Sequence, residues 1–169
     1  MVGSSTRNSG SFAVTQSDQE IRMTRLFDAP KRLVFEAMTK PEHVKQWWGR
    51  LGEGYSVPVC EIDLRPGGAW RFVNRHPKGE AAFHGEYKEV APPDRLVFTE
   101  IYDPFPDAMS VVTSEFTEEG GKTRLTVTVR YSSEQVRKMV FESGMAQGAA
   151  ISYDRLEDLL AALEGTQAQ

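Results

Sequence analysis

Asp63-Leu64-Arg65-Pro66-Gly67-Gly68-Ala69-Trp70-Arg71-Phe72 is the stretch from which the fold is read. Pro66 presets one backbone angle, and the glycines admit the positive φ that a tight reversal needs. The chain then enters a strand in which Trp70 and Phe72 share one face while Arg71 takes the other. The same period of two runs outward in both directions. Tyr55–Ile62 is the strand before the turn, and Ala69–Asn74 the strand after it. Ala81–Val90, Arg95–Tyr102, Met109–Thr117 and Lys122–Tyr131 follow, separated by turn residues at His76-Pro77-Lys78-Gly79, Pro92-Pro93-Asp94 and Gly120-Gly121. Asp103-Pro104-Phe105-Pro106-Asp107 is a stiff loop with one exposed aromatic.

The flanks change period. Ile21–Phe27 reads as a first strand. Asp28-Ala29-Pro30 then starts a helix, with Asp28 as cap, and Leu33, Val34 and Ala37 recur at helical spacing. Pro41 opens a second short helix that carries Val44, Trp47 and Trp48 and stops at Gly49. Beyond Tyr131, Ser132 or Ser133 caps a helical segment that Gly144 interrupts. From Met145 an apolar stripe through Ile151, Leu156, Leu159, Leu160 and Leu163 marks one long helix, ended by Gly165. Met139, Met145 and Gly148 are expected to face the sheet. Short turns between strands predict an antiparallel meander, and only the C-terminal helix is long enough to cover one of its faces. The fold class is α+β.

With 169 residues, 40% hydrophobic and 26% charged, the chain suits one soluble domain. Residues 20–165 are expected to form it, with a disordered tail over 1–19 and a short tail over 166–169. A net charge of −4 gives no reason to expect nucleic acid as partner. No stretch is apolar enough to insert in a membrane, and no secretory leader is read in the Ser- and Gly-rich start, so the expected location is cytoplasmic. The single cysteine, Cys60, excludes an internal disulfide and reads as a small apolar strand residue. His43, His76 and His84 make no metal-ligand spacing, and no cofactor motif is present; neither metal nor cofactor is expected.

Phe27-Asp28-Ala29-Pro30 with Val34-Phe35, then Pro41-Glu42 leading to Trp47-Trp48, resembles the opening of the SRPBCC, or START-like helix-grip, superfamily. Asp63–Gly68, Gly85-Glu86-Tyr87, Pro92-Pro93, Arg95–Thr99, Gly144-Met145 and Tyr153-Asp154-Arg155-Leu156 resemble its branch similar to the C-terminal domain of the activator of heat-shock protein 90 ATPase. The resemblance implies a β-α-α-β-meander-α fold with a cavity between a curved sheet and the long helix. It implies binding of lipids, hormones or polyketide-like molecules, cyclase or dehydratase chemistry in some members, and chaperone assistance in others. That last activity depends in the eukaryotic relative on a separate N-terminal domain, for which Met1–Gln19 offers no counterpart, so a chaperone partner is not the favoured reading.

Strand parity assigns the faces. Trp70, Phe72 and Asn74 point inward together. So do Leu96, Phe98, Glu100 and Tyr102 on their strand, Phe83, Gly85 and Tyr87 on the next, and Val112, Ser114 and Phe116 opposite Leu125, Val127 and Val129. Glu100 stands out as an acid on an otherwise apolar face, where its pKa should rise unless it is paired or reaches water at the strand end. Asn74 is a candidate partner, or else bonds nearby turn backbone. One of Trp47 and Trp48 should pack in the core while the other faces the cavity mouth, and Phe105 could cover the opening. The candidate ligand-binding set is Trp48, Trp70, Phe72, Asn74, Phe98, Glu100, Tyr102, Phe105, Ser114, Met145 and Gly148, with Glu100 and Tyr102 the candidate catalytic pair. The first expectation is a carrier or sensor of a small hydrophobic molecule. Cyclase, dehydratase or hydrolase-like acid–base chemistry and a chaperone-associated module are the alternatives. A homodimer is compatible with a free sheet edge and free helix ends.

Overall fold

A computed structural model describes residues 12–167. Eight antiparallel strands form one curved sheet in the order β1-β2-β8-β7-β6-β5-β4-β3. They are β1 (Ala13–Ser17), β2 (Glu20–Phe27), β3 (Ser56–Ile62), β4 (Ala69–His76), β5 (Gly79–Ala91), β6 (Arg95–Tyr102), β7 (Ser110–Glu119) and β8 (Lys122–Arg130). The helices are α1 (Lys31–Ala37), α2 (Pro41–Trp47), α3 (Glu134–Glu142) and α4 (Met145–Gln167). The meander, the two short helices and the long terminal helix are those the sequence predicts.

The turn at Gly67-Gly68 is stitched to the neighbouring strand. Gly67 N–H donates to the Tyr87 carbonyl and Tyr87 N–H to the Gly68 carbonyl, each at 2.8 Å. Gly67 holds φ +85. Gly68 is needed for room: a Cβ there would lie 2.0 Å from the Asp63 carbonyl oxygen. The turn thereby fixes the register Trp70↔Gly85 and Phe72↔Phe83, and with it the inner face.

That face carries the core. Ile21, Phe27, Val34, Leu125, Leu156 and Leu160 are fully buried. At the end formed by β2, β7 and β8, α1 closes over the sheet, its Phe35 ring 5.3 Å from Phe116, while α2 packs against β3 and α4 and is tied to α1 by Trp47 Nε1, which donates to the Ala37 carbonyl at 2.9 Å. The second half of α4 docks there too. Arg25, on the inner face of β2 and 1% exposed, donates to Asp154 at 2.9 Å and pairs with Glu157 at 3.5 Å, its guanidinium 5.0 Å over the Phe27 ring.

Several expectations change. Residues 13–17 belong to a strand paired with β2, from Ala13↔Thr24 to Ser17↔Glu20, rather than to a tail; residues 1–11 of that tail lie outside the described residues. An edge strand needs only main-chain partners, and β1 is mostly exposed, so no apolar alternation announces it. The helix runs through Gly165 to Gln167. Asp28 makes no cap; its N–H donates to Glu157 at 3.2 Å instead. Ser133 does cap α3, accepting from Val136 N–H at 3.1 Å. Met139 is 52% exposed and Ile151 38%, so neither faces the sheet, and Ala146, Tyr153, Leu156 and Leu160 form the buried stripe instead. Among the described residues no helix is long and apolar enough to cross a membrane.

Candidate functional site

The aromatic residues of β4, β5 and β6 join into one wall. Trp48 packs edge-on to Phe72 at 5.0 Å and to Phe83 at 5.4 Å. Trp70 lies 4.9 Å from Phe72 and 5.6 Å from Phe98. Phe83 stacks on Tyr102 at 4.9 Å, and Tyr102 meets Phe105 at 5.8 Å. Of the adjacent tryptophans, Trp47 is core and Trp48 is only half-buried on this wall.

Two glycines set this geometry. Gly85 leaves space for the Trp70 indole, whose Nε1 donates to the Thr99 carbonyl at 3.1 Å; a Cβ at Gly85 would lie 1.8 Å from that carbonyl oxygen and 2.7 Å from Trp70 Nε1. Gly49, at φ +66, turns the chain out of α2 just after Trp48. Its carbonyl accepts from Asn74 Nδ2 at 2.8 Å, and its N–H donates to Ser152 Oγ of α4 at 3.1 Å. Asn74 is therefore a positioning residue for the end of α2 and not a partner of Glu100.

Glu100 lies on the inner face, opposite Ser110 on β7. On its other side, the register between His84↔Ile101 and Tyr87↔Phe98 brings Gly85 to face it. Ser110 is a small neighbour of the carboxyl, while the space over Gly85 is taken by the Trp70 indole. The residue keeps partial exposure, yet the carboxyl lies deep among apolar neighbours, and burial pushes its pKa up to about 7. Tyr131, just past β8, and Tyr153, on α4, lie close enough to feel its charge. Burial first, and Glu100 second, push both phenols up, so both remain protonated.

Among the described residues, the Glu100 carboxyl, the Tyr131 and Tyr153 hydroxyls and, farther along β7, Ser114 Oγ make no hydrogen bond. None of them is sealed from water, so each borders a space at least water-sized. Tyr131, Tyr153 and Ser114 are nonetheless buried residues. Sequence parity reached Ser114 and Glu100. It missed Tyr131, which extends the inward series Leu125, Val127, Val129 by one step, and Tyr153, whose direction depends on how α4 docks.

The remaining candidates sit as follows. Phe105 is 55% exposed and lines a cleft of about 380 Å³ with Pro104, Ala108 and Val136, between the loop after β6 and α3. Asp103 anchors that loop from the outer face of the sheet. His84 contacts it at 2.7 Å and Arg71 at 3.1 Å, and both hold its carboxyl below the usual range. Met145 packs against the edge of the core. A Cβ at Gly148 would meet only Leu51, at 3.7 Å, so helix packing does not demand glycine there. Burial raises the Cys60 thiol to about 11, which makes it a poor nucleophile.

The raised acid has a consequence for stability. In the unfolded chain Glu100 ionises near its ordinary value of 4.5, whereas in the fold it waits until about 7. Stability is therefore full below the lower value and declines as pH rises through the upper one. Glu100→Gln removes that decline. At pH 8 the variant should be more stable than the parent by about 2 kcal/mol, a figure discounted for partial exposure. Urea unfolding at pH 5 and pH 8 reads this directly; equal pH slopes in the two proteins would clear Glu100 of the effect.

The sequence of residues 28–161 matches the family model described as activator of Hsp90 ATPase homolog 1-like protein. No functionally curated protein matches the chain. Among solved structures, a protein of Rhodobacter sphaeroides is 27% identical with a TM-score of 0.82, covering 89% of this chain and 99% of its own. Protein Ms6760 from Mycobacterium smegmatis is 26% identical with a TM-score of 0.80, covering 89% and 98%. DynU16, a protein of the dynemicin biosynthetic locus, shares the fold at a TM-score of 0.68 and 24% identity, covering 86% of this chain and 48% of that one. The sheet, the gripped helix and a match spanning most of the sequence converge on one conclusion: this chain belongs to the activator of Hsp90 ATPase homolog 1-like family of the SRPBCC superfamily.

Proposed function

We propose that this protein binds a small amphipathic molecule between the inner face of the sheet and α4. One observation carries the reading: among the described residues the Glu100 carboxyl and the Tyr131 and Tyr153 hydroxyls are unpartnered yet border water-sized space beside an aromatic wall, with Ser114 Oγ likewise unpartnered four residues along β7 from the position opposite Glu100. Such groups beside apolar rings offer an occupant the few convergent polar contacts that orient a ligand in a mostly apolar site. The run Trp48, Phe83, Tyr102, Phe105 leads from this wall to the cleft beside α3, which serves as the entrance.

The test uses N-phenyl-1-naphthylamine, a neutral apolar fluorophore. We expect saturable one-to-one binding with quenching of tryptophan emission. Ser114→Leu fills the space and should weaken binding at least tenfold while unfolding stays cooperative. Unaltered binding by that variant would move the ligand elsewhere on the protein.

Acid–base catalysis is the second reading, favoured by an acid that titrates near neutrality beside two protonated phenols. Tyr102, the other candidate, is stacked on Phe83 and makes no bond to Glu100. A molecule retained through native purification and identified by mass spectrometry supplies the substrate. Conversion by the parent but not by Glu100→Gln supports catalysis, and recovery unchanged from both supports carriage.

A further inference from the structure

We infer that the molecule held beside Glu100 is a small amine: a protonated nitrogen carried on an apolar or aromatic body. This rests on the ligand-binding reading above and specifies its chemistry.

The argument begins with charge. On the inner face of β4 to β6, strand parity turns Trp70, Phe72, Phe83, Leu96 and Phe98 inward, all without charge, and Glu100 is the acid among them. The other buried inward charge of the described sheet, Arg25 on β2, is already matched by Asp154 and Glu157. Among the described residues no cation acts on Glu100, and burial pushes its pKa up. A ligand cation is the missing counter-charge.

The wall fits the same ligand. Ring faces attract a desolvated cation, and Trp is the strongest of them. Trp48, Trp70, Phe72, Phe83 and Phe98 supply the rings as well as the apolar contact for the ligand's body. An ammonium carries three donors and no acceptor. The carboxylate accepts one, and the hydroxyl oxygens of Tyr131 and Tyr153 can accept the others. A carboxylate ligand would instead bring a second negative charge to Glu100.

The proton balance gives the test its sign. Facing Glu100 are Tyr131 from the end of β8 and Tyr153 from α4, with Tyr102 on its own strand; Gly85 of β5 and Ser110 of β7 do not titrate. Arg25 of β2 acts on Tyr153 and is held by its two carboxylates. On α3, Arg137 is tied to Gln16 and to the Asp18 carbonyl. Glu100 is thus the group that changes charge near neutrality. An amine binds the ionised form, so its affinity is lost as pH falls through about 7.

The experiment titrates the protein with 4-phenylbutylamine, 4-phenylbutan-1-ol and 4-phenylbutyrate, followed by tryptophan fluorescence and calorimetry at pH 6 and pH 8. At pH 8 the amine should bind at least tenfold more tightly than the alcohol, and the butyrate weakest. At pH 6 the amine should lose roughly tenfold while the alcohol holds. In Glu100→Gln the amine should fall to the alcohol's affinity. An amine no better than the alcohol, or an affinity that rises toward pH 6, overturns the inference and leaves the ligand-binding reading standing. Failure of all three probes overturns both.

Discussion

Gly68→Ala should cost the fold on the order of 3 kcal/mol or more, while Gly67→Ala, one residue earlier, costs about 1 kcal/mol. The two glycines are needed for different reasons. Gly67 sits at φ +85, where any side chain is strained, but nothing lies within 4 Å of a Cβ built there. Its penalty is conformational alone. At Gly68 a Cβ would stand 2.0 Å from the Asp63 carbonyl oxygen and 3.0 Å from that of Arg65. Those are backbone atoms and cannot rotate away. To admit the methyl, the turn must open, and opening it breaks the paired bonds to Tyr87 that set the register of β4 on β5. A strand that slips by one residue turns Trp70 and Phe72 outward. Urea midpoints of the two variants should separate widely; equal midpoints would mean that the turn relaxes without moving the strand.

Arg25→Ala should destabilise the protein by about 3 to 5 kcal/mol, the usual cost of breaking a buried pair by removing one partner. The loss is not shared evenly. Asp154 is 43% exposed and can return to water, whereas Glu157 is 11% exposed and would lose its guanidinium counter-charge where water reaches it least. Glu157→Gln in the Arg25→Ala background should therefore recover part of the loss, because the amide oxygen can still accept from Asp28 N–H while carrying no charge. Additive losses in the double variant would show that Arg25 acts through packing on Phe27 instead.

The strands were legible because their faces differ. β6 runs from Arg95 to Tyr102 as its alternation predicts, and that alternation alone turns Glu100 inward. The aromatic contacts of Trp70 with Phe72 and Phe98 follow from the same parity. What was not legible depends on docking or on main-chain bonding. β1 has no apolar face to read. Tyr153 lies within a helix whose rotation is set by the Arg25 contacts on a strand far away in sequence. Asn74 has the right parity for the site, but its amide is spent on Gly49, and only the close approach of α2 to β4 reveals that.

The unequal anchoring of the two terminal helices bears on kinetics. The second half of α4 is locked by Arg25, Leu156 and Leu160, whereas α3 is joined to it at Gly144, φ +94, and buries only Arg137. Motion of α3 away from the loop carrying Phe105 breaks none of the Arg25 contacts. For a molecule that leaves by that route, residence time is governed by local opening and not by global unfolding. For the proposed ligand, exchange rate and melting temperature would then be separately adjustable: substitutions at Phe105 or Val136 would change how long it stays, and substitutions at Arg25 how hot the protein can become.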